Sequence, residues 1–490
     1  MQKRPSFGRQ RGQALLYGIF MLVAGLAALF FMFNVGQLAR EKTKLVTTAD
    51  AVAYSAGLMH ARALNYSAYN NRALLANEVL ISQMVSMSSW AQYVESWSDN
   101  LPWVHPECRG ISQIENGNYF SAFFSMLGAM RKFGPEYAVA CGLMESQYVR
   151  PYIPNVSDFV QKATTGAVAA AEAQKIIIKT SQNAMLTAFV AERQRVMQGV
   201  ADANYTGDGR VTVDSTTGTD DWLHGPGGMF VKRYDGNERT RFKDVTLEAA
   251  YTDAFVKERR WRSTAVIPQM GRCFGRFNYV DRGGGTELLG LDEWHAVDTQ
   301  SYHRYRARRF IGCRKRETPT GTAQQEAFAT NQAPAGAYGG SPSRNPSAHS
   351  SALRTSFPRM TYSGLPGYYD LNASWLTGSN RDQEPVLRHS VRLTRAASQL
   401  RTTDGSTGQI HTLADSRIAA YETTLADGVM AAVSGTEVFF ERPADHADNR
   451  WGAKRGRPVE LGSLFNPYWQ TRLVEANVAS QWLRQGVVRP

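Results

Sequence analysis

The chain has 490 residues, so about two or three structural units are expected rather than one small domain. Hydrophobic residues make up 43%, which excludes a chain disordered throughout. The net charge is +12, yet the arginines are scattered and no basic run is interleaved with aromatics, which points to an anionic lipid or envelope surface and away from DNA or RNA.

Residues 1–12 form a basic tail, with Lys3, Arg4, Arg9 and Arg11 and no acid. An uncharged run from Gly12 to Ala39 follows, and residues 13–37 read as a transmembrane helix. Its apolar part, Ala14 to Val35, is about 22 residues, or roughly 33 Å of helix against a hydrocarbon core of about 30 Å. A secretory signal has only about 7–15 apolar residues before a small-residue cleavage site, whereas this run continues into "NVGQLAREKTKLV". Positive charge ahead of the helix places the N-terminus in the cytoplasm and the bulk of the chain beyond the membrane. No second segment of comparable length follows, so a single-pass topology is expected.

Beyond the membrane the pattern stays helical. No proline occurs between Pro5 and Pro102, and no glycine between Gly57 and Gly110. Leu38, Leu45, Val52, Met59, Tyr66, Ala73, Leu80 and Met87 recur at heptad spacing, with Ala49, Ala56 and Ala63 beside them. Such a stripe suits either a close helix–helix seam or packing on the chain's own globular part. Gly57 is expected to weaken or kink the helix.

The segment "RGQALLYGIFMLVAGLAALFFMFNVGQLAREKTKLVTTADAVAYSAG" resembles the N-terminal part of TadE/TadG-like proteins of the Flp (tight-adherence) pilus assembly system. The resemblance rests on Arg11-Gly12-Gln13-Ala14 before the apolar run, Gly36 after it, Leu45, and the cluster Ala49-Asp50-Ala51-Val52-Ala53; it covers about residues 9–60. It implies a component of a pilus or secretion apparatus in the bacterial inner membrane, with lipid and pilin-like or other apparatus proteins as partners. Family members processed like type IV pilins carry a Glu five places after the cleavage-site glycine, to pair with a neighbour's N-terminal amine. Here Tyr17 stands at that place after Gly12, so an amine on Gln13 would lack its carboxylate, and retention of the helix uncleaved is expected. An Asp often precedes the post-membrane glycine in TadG-like members, where this chain has Asn34. Gly18, Gly25 and Ala49 would permit close approach of neighbouring helices.

Further along, 38–205 reads as a helical periplasmic region, 206–313 as β-rich, 314–360 as a flexible linker and 361–490 as an α+β region. Four cysteines, Cys108, Cys141, Cys273 and Cys313, lie beyond the membrane, and local pairing favours Cys108–Cys141 with Cys273–Cys313. Val156 to Asn204 forms a second long helix able to pack on the first. "RVTVD", "MFVKRY" and "RFNYV" are strand candidates. "PVLRHSVRLTR" alternates, with Leu387, His389, Val391 and Leu393 on one side, and "TEVFFERP" is a further strand. "SRIAAYETTLADGVMAAVSG" is expected to be helical and to end at Gly435. Phe465, Pro467, Tyr468 and Trp469 precede an expected terminal helix. The fold class is therefore α+β: a long N-terminal helix, a helical region and a mixed or antiparallel sheet.

Signatures of chemistry are sparse. His-Glu-x-x-His, Gly-x-Ser-x-Gly and the phosphate-binding Gly-x-x-x-x-Gly-Lys are absent from the sequence. Asp281-Arg282-Gly283-Gly284-Gly285 reads as a loop. His295, Asp298 and His303 are a weak metal candidate if their segment is helical. Asp202, Asn204, Thr206 and Asp208 imitate a calcium loop around Gly207, but Val213 replaces the bidentate Glu, and a helix end followed by a turn explains the stretch. The Asp-x-Ser-x-Ser metal-dependent adhesion motif of some TadG relatives is absent. The expectation is a non-enzymatic assembly component without a cofactor. A membrane-tethered periplasmic enzyme or binding module, or a pilus-tip adhesin, are the alternatives.

Overall fold

The structure is a computed structural model describing residues 13–215, 219–225, 227–307, 312–329, 344–375, 385–396, 399–400, 429–441, 462–475 and 478. It opens with α1 (Gln13–Val104), one unbroken helix of 92 residues. Three shorter helices follow, α2 (Gly110–Glu115), α3 (Tyr119–Phe133) and α4 (Pro135–Met144), then the 52-residue α5 (Ile153–Asn204). The middle of the chain holds β1 (Thr212–Asp214), α6 (Asp221–His224), β2 (Val231–Tyr234), α7 (Thr240–Ala250), α8 (Ala254–Lys257) and β3 (Trp261–Thr264). Long strands β4 (Tyr279–Leu289), β5 (Glu293–Ala307) and β6 (Cys313–Phe328) come next, then α9 (Pro346–Ala352), β7 (Met360–Thr361) and β8 (Tyr368–Leu371). β9 (Leu387–Ala396), β10 (Val429–Phe440) and β11 (Trp469–Leu473) complete the described elements. The class is α+β, as the sequence indicates.

The chain divides into two compact units that cut across its linear order. The first takes residues 1–69, 183–232 and 370–490, and the second 70–182 and 233–369. Each long helix thus gives one part to each unit.

In the first unit, β1, β9, β10 and β11 form an antiparallel sheet in that order. Alternation puts Val391 and Leu393 of β9 into a core with Met430 and Ala432 of β10, Met197 and Ala201 of α5, and Leu45, Ala49, Val52, Ala53 and Ala56 of α1. The small residues that mark the sequence here let the helix lie close on its own unit. Gly57 extends that contact: a Cβ there would collide with Thr471 Oγ1 and sit 3.0 Å from Thr436 Cβ. The glycine permits close approach, and α1 runs through it as helix, so the expected weak point is a packing position.

In the second unit, β3-β4-β5-β6-β7 form a five-stranded sheet, antiparallel except for the β6–β7 pair. One end of α1 packs Tyr93, Trp97 and Leu101 with Phe133, Tyr137 and Tyr302. The two disulfides are Cys108–Cys141 and Cys273–Cys313, the pairing expected from locality.

The heptad reading of α1 does not persist. Leu45 and Val52 are buried, but Tyr66 and Met87 are exposed. A straight helix drifts about 20° per heptad, so over the stretch from Leu38 to Met87 the stripe rotates by about 140°. Burial follows the five-turn spacing of Ala49, Ser67 and Val85 instead. Of the two readings, packing on the chain's own units is the one observed.

Three further expectations are corrected. "DRGGG" is part of β4, because Gly284 admits the Asp298 carboxylate and the carbonyls of Gly284 and Gly285 accept from Arg259. The start of the expected linker is β6, paired with β5 from Cys313 to Phe328; residues 330–343 lie outside the described residues. The end of the expected helix 416–435 is strand: Val429–Gly435 pair with β9 in alternating burial, and 416–428 lie outside the described residues. The expected terminal helix also lies outside them, apart from Val478. Trp469 belongs to β11 and is buried, its ring 5.7 Å from Phe440.

Candidate functional site

The first part of α1 is apolar and long enough to cross a membrane, and none of that stretch is buried against the protein. Leu15, Leu16, Phe20, Met21 and Leu22 are exposed, as is Tyr17. Among the described residues, nothing beyond the helix's own neighbouring backbone lies within 4 Å of where a Cβ would stand at Gly18, Gly25 or Gly36, so their small faces are open there.

Burial begins abruptly where charge begins, in "AREKTK". Glu41 accepts from Arg395 Nη1, and Lys44 Nζ lies 2.5 Å from Asp208 Oδ2. Lys42 Nζ donates to the Ala431 carbonyl. Arg395 is fully buried in β9; its guanidinium lies 4.8 Å from the Tyr205 ring centroid and donates 2.7 Å to the Gln399 carbonyl. Acid and base from the stem thus interlock with base and acid from the sheet and the end of α5. The stem is clamped to the first unit through these pairs, of which Glu41–Arg395 is the desolvated one, where a charge pair is far stronger than in water. Arg395 was findable in the sequence. It continues the inward row Leu387, His389, Val391 and Leu393, and a cation at such a position demands a buried partner.

The other stem residues are engaged in the same unit. Leu45 and Ala49 are fully buried in its core, and Asp50 Oδ1 accepts from Ser434 Oγ at 2.7 Å. Ala49 therefore serves internal packing, leaving Gly18 and Gly25 as the open small residues. The calcium-like residues do not converge on one point. Asp208 joins the clamp, Asp202 accepts from Gln198, and Asn204 Nδ2 donates to the Val200 carbonyl. Gly207, at φ +74°, makes the expected turn after the helix.

A second buried polar group lies in the first unit. Arg193 of α5 forks onto Asp220, and its Nη1 lies 2.9 Å from His60 Nε2. The His389 ring stands 5.2 Å from His60. Burial lowers both histidines well below the ordinary value, with Arg193 adding to the effect. Sequence reading missed His60 and Arg193, which sit singly on long helices without a motif.

The expected group of His295, Asp298 and His303 is on a strand. Asp298 faces the α1 side, where Arg259 holds it at 2.8 and 2.9 Å and Ser89 donates at 2.8 Å. Burial opposes its ionisation, but Arg259 and Arg282 outweigh that and hold the carboxyl below its usual range. His295 and His303 share the other face, but eight strand residues separate them by about 26 Å. His303 instead lies 2.8 Å from Asn345 Oδ1. On α3, Phe120, Phe123, Phe124 and Leu127 form an exposed apolar face that the sequence reading did not single out.

Comparison with known proteins gives one family. Residues 12–63 match the family described as putative Flp pilus-assembly TadE/G-like. The matched stretch spans the exposed apolar stem, the charged clamp residues Glu41 and Lys44, and the core positions Leu45 to Ala63. This supports a role related to the Flp/Tad pilus, and it agrees with the resemblance carried by Gly12, Gly36, Leu45 and Ala49-Asp50. No curated protein and no solved structure matches the chain.

Proposed function

We propose that the protein is a non-enzymatic component of an Flp/Tad-type pilus assembly apparatus. In this reading the stem anchors it, uncleaved, in the bacterial inner membrane, with the N-terminus cytoplasmic and both folded units periplasmic. The observation that carries it is the coincidence of the TadE/G-like match with one continuous helix, apolar and open at one end and fixed to a folded unit at the other. An anchor that must hold a body in a set direction needs both properties. The open faces at Gly18 and Gly25 are where helices of apparatus proteins or pilin-like subunits would approach, since van der Waals packing of small residues drives association in lipid. The two disulfides suit an oxidising compartment.

The test is the N-terminal sequence of the mature protein, taken from inner-membrane and sheared-surface fractions, together with disulfide crosslinking from cysteines placed at Gly18 and Gly25. An intact N-terminus in the membrane, with crosslinks to apparatus proteins, is the expected result. A start at Gln13 in shed fibres would overturn retention, and a protein found only in the cytoplasm would overturn the whole reading.

A further inference from the structure

β5 and β6 lie in the middle of the second unit's sheet. His295 and Glu326 are direct cross-strand partners, and Glu293, two residues before His295, shares their face. Chain on the far side of the sheet from α1 covers this face, with Ala352 and Leu353 packed on Val297. Glu293, His295 and Glu326 are all buried, and one donor atom from each lies within 4.8 Å of the others.

His295 Nε2 is 3.4 Å from Glu326 Oε1 and 3.3 Å from Gln324 Oε1, while Nδ1 is 3.7 Å from Glu293 Oε1. Ordinary N–H···O bonds are about 2.9–3.0 Å, and one imidazole proton cannot serve two oxygens well. Metal–ligand distances of about 2.0–2.2 Å put neighbouring tetrahedral donors roughly 3.3–3.5 Å apart, which is the separation seen around Nε2. Among the described residues Glu326 Oε2 has no hydrogen-bond partner, although it is sealed from water in a residue only 4% exposed. Gln324 Nε2 donates 2.9 Å to the Thr355 carbonyl, which turns the amide oxygen toward His295. A buried carboxylate with an oxygen in this position calls for a cation.

We propose that His295 Nε2, Glu326 and Gln324 Oε1 hold one divalent first-row transition-metal ion that ties β5 to β6, with Glu293 beside the other ring nitrogen, where it orients the imidazole. One imidazole with oxygen donors is chemistry suited to zinc or manganese, and the sealed setting makes the role structural.

The experiment uses the full chain in detergent, stripped with a chelator and dialysed, then titrated calorimetrically with Zn2+ alone and with Mn2+ alone. Binding of about one equivalent of either ion, with a raised Tm and X-ray absorption showing one imidazole among oxygen ligands and no sulfur, is expected. Glu326→Gln keeps the shape and should lose at least tenfold in affinity, with a Tm indifferent to the ion. Wild-type protein that takes up no stoichiometric ion would overturn the proposal. So would Glu326→Gln protein that binds as wild type does. If that variant does not fold, the absorption spectrum of the wild type decides: a site with sulfur, or with more than one imidazole, lies elsewhere.

Discussion

Lys175 Nζ and Glu78 Oε1 face each other at 2.6 Å inside the second unit, both sealed from water. Glu172 lies at the same distance from the ammonium, and the Gly364 carbonyl accepts from it at 3.0 Å. Glu78 also accepts from Trp294 Nε1 at 3.1 Å and Tyr362 Oη at 2.6 Å. The pair joins α1, α5 and the sheet, so breaking it strands a charge. Lys175→Met is expected to destabilise by about 3–5 kcal/mol, because Glu78 is left desolvated. Lys175→Met with Glu78→Gln should recover part of that loss. Equal destabilisation of the single and double variants in urea titration would sink the account.

Glycine substitution should have opposite signs at two sites in the same unit. A Cβ at Gly284 would meet the Asp298 carboxylate and stand 3.0 Å from the Val297 carbonyl. Asp298 cannot yield easily, since Arg259 and Ser89 hold it. Gly284→Ala should therefore destabilise by about 1–3 kcal/mol. Gly166, inside α5, has open space around it, so Gly166→Ala should gain up to about 1 kcal/mol from helix propensity. Thermal unfolding of the two variants decides it, and a stabilised Gly284→Ala would contradict the packing described.

These positions show where the sequence was legible. The stem reads plainly because solvent alone sets its pattern, and β9 reads plainly because one face is apolar. The cysteine pairing follows from local separation. β4 and β6 did not read as strands, since their buried positions carry Gly, Thr, Gln and Glu whose partners lie far along the chain. Ser86, for example, meets Thr286, and Ser88 meets Gln325. Such polar contacts leave no hydrophobic period to detect. The Glu293–His295–Glu326 group was hidden for the same reason: two members alternate on one strand, and the third arrives through strand register.

The disulfides should contribute nearly equal stability, since the cost of closing a loop rises only with the logarithm of its length. Cysteine separations are 33 residues for Cys108–Cys141 and 40 for Cys273–Cys313. Each bridge is expected to contribute about 2–4 kcal/mol, mainly by restricting the unfolded chain. Peptide mapping without reductant should recover these two pairs, and Cys108→Ser with Cys141→Ser should lower Tm. A Tm unmoved by reductant would mean that neither bridge forms in the folded protein.

Acid should destabilise the protein before ordinary carboxylates titrate. His60 is held well below the usual histidine value by burial first, then by His389 and Arg193, with Asp220 opposing, and His389 by burial and then Arg193. Burial, with Lys132 nearby, lowers His105 to about 3. In each case the unfolded chain takes the proton first, near pH 6.5, so this stability is fully present above that pH and is lost as pH falls below it. The loss is about 1.4 kcal/mol per pH unit for each histidine. Urea unfolding at intervals across that range should show stability falling with acid. His389→Gln should remove about 1.4 kcal/mol per pH unit from the slope. An unchanged slope in that variant would show that His389 is already charged in the folded state, against its placement beside Arg193.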